Sequence, residues 1–346
     1  MSLEFSHIAH SYSARGADKS SGRALEDVSF TAPGGEITCL LGASGCGKST
    51  LLNLAAGLLP LQQGRIALNG ESLAEPGACP PPEARPVGLV FQDAALFPHM
   101  TIAKNIGFGL PKERHEEIES WLARVGLSGL GHRYPHELSG GQQQRAALAR
   151  AMAPGPQVLL MDEPFASVDI VLRRALRREC RMLLREQGTT TIIVTHDPEE
   201  ALDIGDRIAV MEAGKIVQFG TPEDLHERPA TASVGAIFGG AQILPATRKG
   251  DTLATPLGVW PLSCVAGNAP QSEGLDLLVH AETLDCEPDE DGLIVRDVHP
   301  LGVASRVLLR TAEGDEVTVQ TTAAVEEGGR YRVVPREASV RAFARS

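Results

Sequence analysis

Residues 42–49 read GASGCGKS, with the short apolar run EITCLL before them at 36–41 and STLLNLAAGL after them at 49–58. The first run is expected to be a buried strand, and the second a helix with Leu51, Leu52 and Ala55 on one side. A glycine-rich turn between a strand and a helix start is an anion site, because free backbone N–H groups and the helix dipole converge there. Gly42, Gly45 and Gly47 let the backbone approach a ligand, and Ser44, Cys46 and Thr50 are the other loop residues expected at it. Lys48 is placed against the β- and γ-phosphates of a nucleotide, and Ser49 offers a hydroxyl to Mg²⁺. A chance glycine turn would not need a strand before it and a helix after it.

Two further apolar runs end in chemistry. Residues 158–161 lead into Asp162 and Glu163, and residues 191–195 (TIIVT) lead into His196. Three such strands separated by helical segments predict a mainly parallel sheet that binds its ligand at the carboxyl edge. Asp162 is placed to help hold Mg²⁺, commonly through water, and Glu163 to activate an attacking water. A solvated acidic turn would not explain a hydrophobic strand aimed at it. Asp197, Pro198 and Glu200 read as an N-cap, a first-turn proline and a returning glutamate, so capping alone accounts for them. Residues 207–220 predict a hairpin turning at Ala213 and Gly214.

Between 90 and 157 the pattern becomes helical, most clearly over 115–125 and 141–152. Within it, residues 138–142 read LSGGQ, a second glycine-rich helix start able to offer N–H groups and dipole to a phosphate. The plainer reading is a loop that caps its own helix. In order and distance from the first loop, the stretch 134–150, YPHELSGGQQQRAALAR, resembles the ATPase subunits of bacterial importers of the ATP-binding cassette (ABC) family. The resemblance runs through GASGCGKST, VFQDAALFPH, LSGGQQQR, MDEPFASVD and VTHDPEEA, over residues 1–240.

That resemblance implies an α/β fold: a P-loop NTPase cassette over 1–238 with an inserted helical subdomain at about 90–157. It implies ATP and Mg²⁺ as ligands. It also implies a homodimer in which Ser139, Gly140, Gly141 and Gln142 of one subunit contact ATP held at Lys48 of the other. Gln92 corresponds to a glutamine that touches Mg²⁺ or the attacking water and senses the membrane partner. His196 corresponds to a switch histidine at the γ-phosphate. Tyr12 sits where related chains stack an aromatic ring on adenine, just before an insertion-like stretch at 13–22. Ser167, Val168 and Asp169 match a loop that crosses between subunits, with S-V-D where S-A-L-D is usual. Cys46 in the phosphate loop invites a redox-switch reading, although a small residue that simply fits is the plainer one.

The composition bounds the rest. With 346 residues and 42% hydrophobic content, two globular domains are expected. No apolar run approaches the ~20 residues needed to cross a bilayer, and the start of the chain lacks a secretory pattern, so a cytosolic chain is expected. Its place by resemblance is peripheral, on the cytoplasmic face of the inner membrane. Six scattered cysteines suggest neither a zinc site nor a disulfide framework. A net charge of −12 argues against nucleic acid as a partner.

From about 228 to 241 the texture changes to short β segments with Gly, Pro and acidic turns, and a linker is expected there. Residues 239–346 predict a small antiparallel β-barrel with strands near 277–280, 293–295, 303–309, 317–319 and 331–334. They resemble the OB-like transport-associated (TOBE) domain of importers for ferric iron, polyamines, sugars, sulfate and molybdate. His280, Ala281 and Glu282 stand where many members carry R-P-E. The stretches 134–151 and 236–246 favour the ferric-iron group, with thiamine and other solutes open. The implied partners are integral-membrane permease subunits, contacted near Gln92, Phe97 and Pro98, and indirectly a periplasmic solute-binding protein. Cassettes of DNA repair or translation are the alternative class, but no long heptad array lies between Lys48 and Ser139. The accessory domain is either a dimer-stabilising appendage or a solute sensor.

Overall fold

Alternating apolar residues at the start of the chain set the first sheet. In the computed structural model, which describes residues 2–12, 22–166, 168–239, 241–311 and 314–345, β1 (Leu3–Ser11) buries Leu3, Phe5 and Ile8. It pairs antiparallel with β2 (Arg23–Ala32), and Phe5 stacks on Phe30 with ring centroids 4.7 Å apart. Then β3 (Ile37–Leu41), buried throughout, delivers the chain to the glycine loop and α1 (Lys48–Ala56). The strands β4 (Gln63–Leu68) and β5 (Glu71–Ala74) complete the first sheet in the order β2-β1-β4-β5.

The second sheet opens with β6 (Val87–Val90), after which the helices α2 (Ile102–Ile106), α3 (Ile118–Arg124) and α4 (Gly140–Met152) form the expected inserted helical region. The helix expected over 115–125 is split. Residues Lys112–Glu117 make a 3₁₀ turn that buries no side chain, because KERHEE offers no apolar face, and α3 begins only at Ile118. The chain continues through β7 (Val158–Asp162), α5 (Ile170–Gln187), β8 (Thr190–Thr195), α6 (Pro198–Ile204), β9 (Arg207–Glu212) and β10 (Lys215–Gly220). Ala213 and Gly214 both take positive φ, 44° and 83°, between β9 and β10, as a two-residue hairpin turn requires.

The second sheet has the order β10-β9-β3-β8-β7-β6. All its neighbours pair in parallel except β10. Continuous apolar strands are what a sheet covered on both faces demands, and α1 lies against β7 and β8. Because β8 sits between β3 and β7, the ends of these three strands emerge side by side. Leu41 pairs with Thr195, and Asp162 with Val194.

Contacts divide the chain into two compact units, Met1–Pro222 and Glu223–Ser346. The helix α7 (Pro222–Glu227) begins at the division, and α8 (Ala232–Gly239) occupies most of the stretch expected as a linker. There Thr231 Oγ1 accepts from the N–H of Val234, whose side chain is buried. Beyond it, β11 (Gln242–Lys249), β12 (Thr252–Thr255), β13 (Gly258–Pro261), β14 (Gly274–Val279), β15 (Leu284–Pro300), β16 (Ser305–Arg310), β17 (Glu316–Thr321), β18 (Arg330–Pro335) and β19 (Arg341–Ala344) make two antiparallel sheets. Their orders are β13-β12-β11-β14-β19 and β17-β16-β15-β18. Register shifts within β15 let the second sheet curl into a half-barrel, in keeping with the expected OB-like class. Gln242 ties the sheets, its Nε2 donating to Thr318 O at 2.6 Å and its Oε1 accepting from Thr318 N at 2.7 Å.

In the helical region, Asn105 is fully buried on α2. Its Oδ1 accepts from Phe97 N at 2.8 Å, and its Nδ2 faces the carbonyls of Phe97, Met100 and Thr101 at 3.1–3.2 Å. Asn105→Ala should cost about 2–4 kcal/mol, because it strands buried backbone groups of that loop. Urea denaturation of the full chain measures this.

Candidate functional site

The glycine loop is built around its own lysine. Lys48 is buried, and its Nζ donates to Gly42 O at 2.7 Å and to Ala43 O at 2.9 Å, with Cys46 Sγ 3.8 Å away. A side chain at Gly42 would place Cβ 2.2 Å from Met211 O, and one at Gly47, where φ is 106°, would come within 2.4 Å of Ala24 O. No side chain caps α1, and its first turn holds no acidic residue. The N–H groups at this helix start are therefore left for a ligand, and negative charge is favoured there.

The carboxylates arrive from β7. Ser49 Oγ donates to Asp162 Oδ1 at 3.1 Å, so a hydroxyl and a carboxylate, both hard oxygen donors, already meet. Burial pushes the Asp162 carboxyl above its usual range, joined by the nearby Glu163 charge and opposed by the Ser49 hydrogen bond and by Lys48. A divalent cation would relieve that excess of negative charge, and the donor set fits Mg²⁺. Glu163 sits at φ 43°, and its N–H donates to Val194 O at 3.0 Å. That backbone conformation costs a non-glycine residue about 1–3 kcal/mol and recurs at functional sites. His196 Nδ1 lies 3.0 Å from Glu163 Oε1.

Tyr12 is half exposed, its hydroxyl 3.1 Å from Thr50 Oγ1 and its ring edge-on to His10. Together with Ser44, Gly45, Lys48, Ser49, Thr50 and Glu163 it bounds a cavity of about 730 Å³. That is ample for a nucleotide.

The signature and glutamine positions do not line this cavity. Ser139 caps α4: its Oγ accepts from Gln142 N at 3.4 Å, and Gln142 Oε1 accepts from Ser139 N at 3.0 Å. Gly140 is exposed and Gly141 half-buried. Gln92 is exposed in the turn after β6. That turn continues through Ala94 and Ala95, at φ 60° and 43°, whose carbonyls accept from Arg150 of α4 at 3.1 and 2.7 Å. Ser167 and residues 13–21 lie outside the described residues.

Comparison with known proteins gives these parts a common origin. The ABC transporter family model matches residues 25–166. The sulfate/thiosulfate import ATP-binding protein CysA of Nocardia farcinica is 43% identical over 306 residues, covering 86% of this chain and 87% of that protein. The chain belongs to the ABC transporter family of import ATP-binding proteins. CysA of Caulobacter vibrioides is 38% identical over 342 residues, 94% of this chain and 98% of its own. The Fe(3+) ions import ATP-binding protein FbpC of Mesorhizobium japonicum is 48% identical over 239 residues, 68% and 66% of the two chains. Among solved structures, the ATP-binding cassette MJ0796, a dimer in a post-hydrolysis state with ADP and phosphate, superposes with a TM-score of 0.54 at 26% identity. That match covers 63% of this chain and 98% of the other. ATP is thus the nucleotide of this ABC protein, with Mg²⁺ its partner ion, and Ser49 and Asp162 are the residues that would hold the ion.

Sequence reasoning gave Glu200 a capping role and Arg177 none. In the structure both are buried behind His196, with Arg177 Nη2 3.5 Å from Glu200 Oε2. The sequence signal is arginine recurring every fourth position on α5, at 173, 177, 181 and 185; the carboxylates that face the last three, Asp197, Glu200, Asp203 and Asp206, lie on α6 and its flanks, so spacing within one helix could not reveal them. Burial raises the Glu200 carboxyl from its ordinary 4.5 to about 7, outweighing Arg177, which is shared with Asp197 and Asp203. A raised folded value means that the neutral acid is the favoured form. Its contribution is full below the ordinary value and is lost as pH rises through about 7. Glu200→Gln should therefore gain stability relative to the parent as pH goes from 5 to 8.5. Melting curves across that range test the sign.

Proposed function

We propose that this chain is the ATP-hydrolysing, energy-coupling subunit of an importer, with the cassette over residues 1–238 and the accessory domain over 239–346. The observation that carries the reading is that Glu163, in hydrogen-bond reach of His196, faces the same cavity as Lys48 and Ser49. Lys48 leaves the loop carbonyls for the β- and γ-phosphates. Tyr12 stacks on adenine, and Gly42, Ser44, Gly45, Cys46, Gly47 and Thr50 line the phosphates with backbone and hydroxyl groups. Ser49 and Asp162, with Gln92, would hold Mg²⁺, which would supply charge neutralisation at the phosphates. Glu163 takes a proton from the attacking water, and His196 orients the γ-phosphate side of the site.

The site closes in a homodimer. Ser139, Gly140, Gly141 and Gln142 of one copy cover ATP held by the other. The neutral cap that Ser139 makes is worth about 1 kcal/mol, whereas a hydrogen bond to a charged group is worth about 1.5–3 kcal/mol. An arriving phosphate therefore displaces it. The motion passes to integral-membrane permease subunits through the apolar groove of about 580 Å³ between Phe91, Phe97, Phe108 and Pro154. The chain works at the cytoplasmic face of the inner membrane, without nucleic acid, in a system whose periplasmic protein binds the solute.

For the solute we propose ferric iron, on the 48% identity of the cassette to an FbpC. A second reading, sulfate or thiosulfate, is favoured by the CysA matches, which extend over 306 and 342 residues and so into the accessory unit. A deletion strain that fails to grow on limiting iron but grows on sulfate as sole sulfur source supports the first; the reverse pattern supports the second.

Glu163→Gln should slow ATP turnover about 10²- to 10⁴-fold while leaving nucleotide binding intact. Steady-state hydrolysis alongside fluorescent-nucleotide titration checks both halves, and unchanged turnover removes Glu163 from the role.

A further inference from the structure

A charge cluster that no step above uses lies behind the Glu163–His196 pair. The helix α5 starts directly after Asp169, and α6 directly after the His196 turn. From α5, Arg177 reaches three carboxylates. Its Nη2 is 2.5 Å from Asp197 Oδ2 and 3.5 Å from Glu200 Oε2, and its Nη1 is 3.3 Å from Asp203 Oδ2, with the arginine side chain only 5% exposed. One turn earlier on the same helix, Arg173 Nη2 donates to the carbonyl of Val168 at 3.1 Å. One rigid element therefore holds both the loop that enters α5 and the turn that carries His196.

Asp197 is the link. Its Oδ1 caps α6 by accepting from the N–H groups of Glu199 and Glu200, its Oδ2 takes Arg177, and its own N–H donates to Thr195 Oγ1 at 3.0 Å. His196 is strung between these two anchored neighbours, and among the described residues its ring bonds only Glu163. We infer that Arg177 is a positioning residue for ATP hydrolysis, holding Asp197 and with it the turn that presents His196 to Glu163. The inference rests on the roles given to Glu163 and His196 above.

Adhesion of α5 to α6 does not require an arginine. Apolar side chains of similar volume replace buried ion pairs at little or no loss of stability, and Asp197 caps α6 with its other oxygen. What the guanidinium adds is direction: a planar fork with fixed donors admits one placement of the Asp197 carboxylate, which a flexible lysine does not. A small displacement of a group set for reaction lowers turnover without loosening the substrate.

The test uses the full chain with Arg177→Met/Glu200→Leu, which removes the buried charge together with its one buried α6 partner among the described residues, and Arg177→Lys. The double variant should melt cooperatively and keep its KM for ATP within about 2-fold while kcat falls about 10- to 100-fold, with Arg177→Lys in between. In a His196→Ala background the same pair of substitutions should cost nothing further, because the residue they position is gone. Normal kcat in the folded double variant, or a full multiplicative loss on top of His196→Ala, overturns the inference alone. Turnover untouched by His196→Ala overturns the reading of the site beneath it. If the double variant does not fold, Arg177→Lys is judged in its place, alone and with His196→Ala, by the same criteria.

Discussion

Parallel pairing of β3 with β8, and of β8 with β7, is the constraint on which the rest of the cassette depends. Each strand ends in one component of the proposed chemistry: the lysine loop, His196 and the carboxylate pair Asp162 and Glu163. None of them is near another in sequence. The backbone ladder alone fixes their spacing to that of neighbouring strands, about 4.8 Å. A one-residue slip of β7 would turn Asp162 from Ser49 and exchange the two buried faces of the run Val158–Met161, so the close packing of each face enforces the register of the site.

Three helix starts carry residues of the proposed site, and they are finished differently. The start of α1 is left uncapped, so its N–H groups are free when a ligand arrives. Ser139 and Gln142 cap α4 reciprocally through two neutral bonds, of 3.4 and 3.0 Å, which the proposed phosphate contact would replace. Asp197 caps α6 with a full carboxylate that is also tied to Arg177, so this start stays closed to anions and serves to hold what precedes it. The hierarchy of capping strength follows the roles proposed for these starts: ligand site, exchangeable contact, fixed support.

Much of this was legible in the sequence. The glycine loop, the Asp162 and Glu163 strand end, the His196 turn and the β9–β10 hairpin each carry a local signal, whether a period, a breaker or a cap. The 3₁₀ segment before α3 was less readable, because helical propensity in KERHEE is not matched by any buried face. In the accessory unit β11, β12, β13 and β19 escaped notice. Pro245 interrupts the first, and the others are four residues long, too short to show alternation. The Arg177 cluster escaped for a different reason: its partners come from another element, and no spacing along one helix encodes a contact across two.

The placement of strain and buried charge completes the logic. Glu163 is held at positive φ by its N–H bond to Val194, which belongs to the strand that also leads to His196. The strained residue and its partner are thus referred to one strand, and relaxation of either would have to break the ladder between β7 and β8. Arg177 supplies the missing constraint from the opposite side, where the chain leaves that strand. The Glu163–His196 distance is therefore set by the sheet on one side and by α5 on the other, with little left to the exposed imidazole itself. A site fixed from both sides can respond to nucleotide only by movement of whole elements, which is the kind of motion that can be transmitted to another protein.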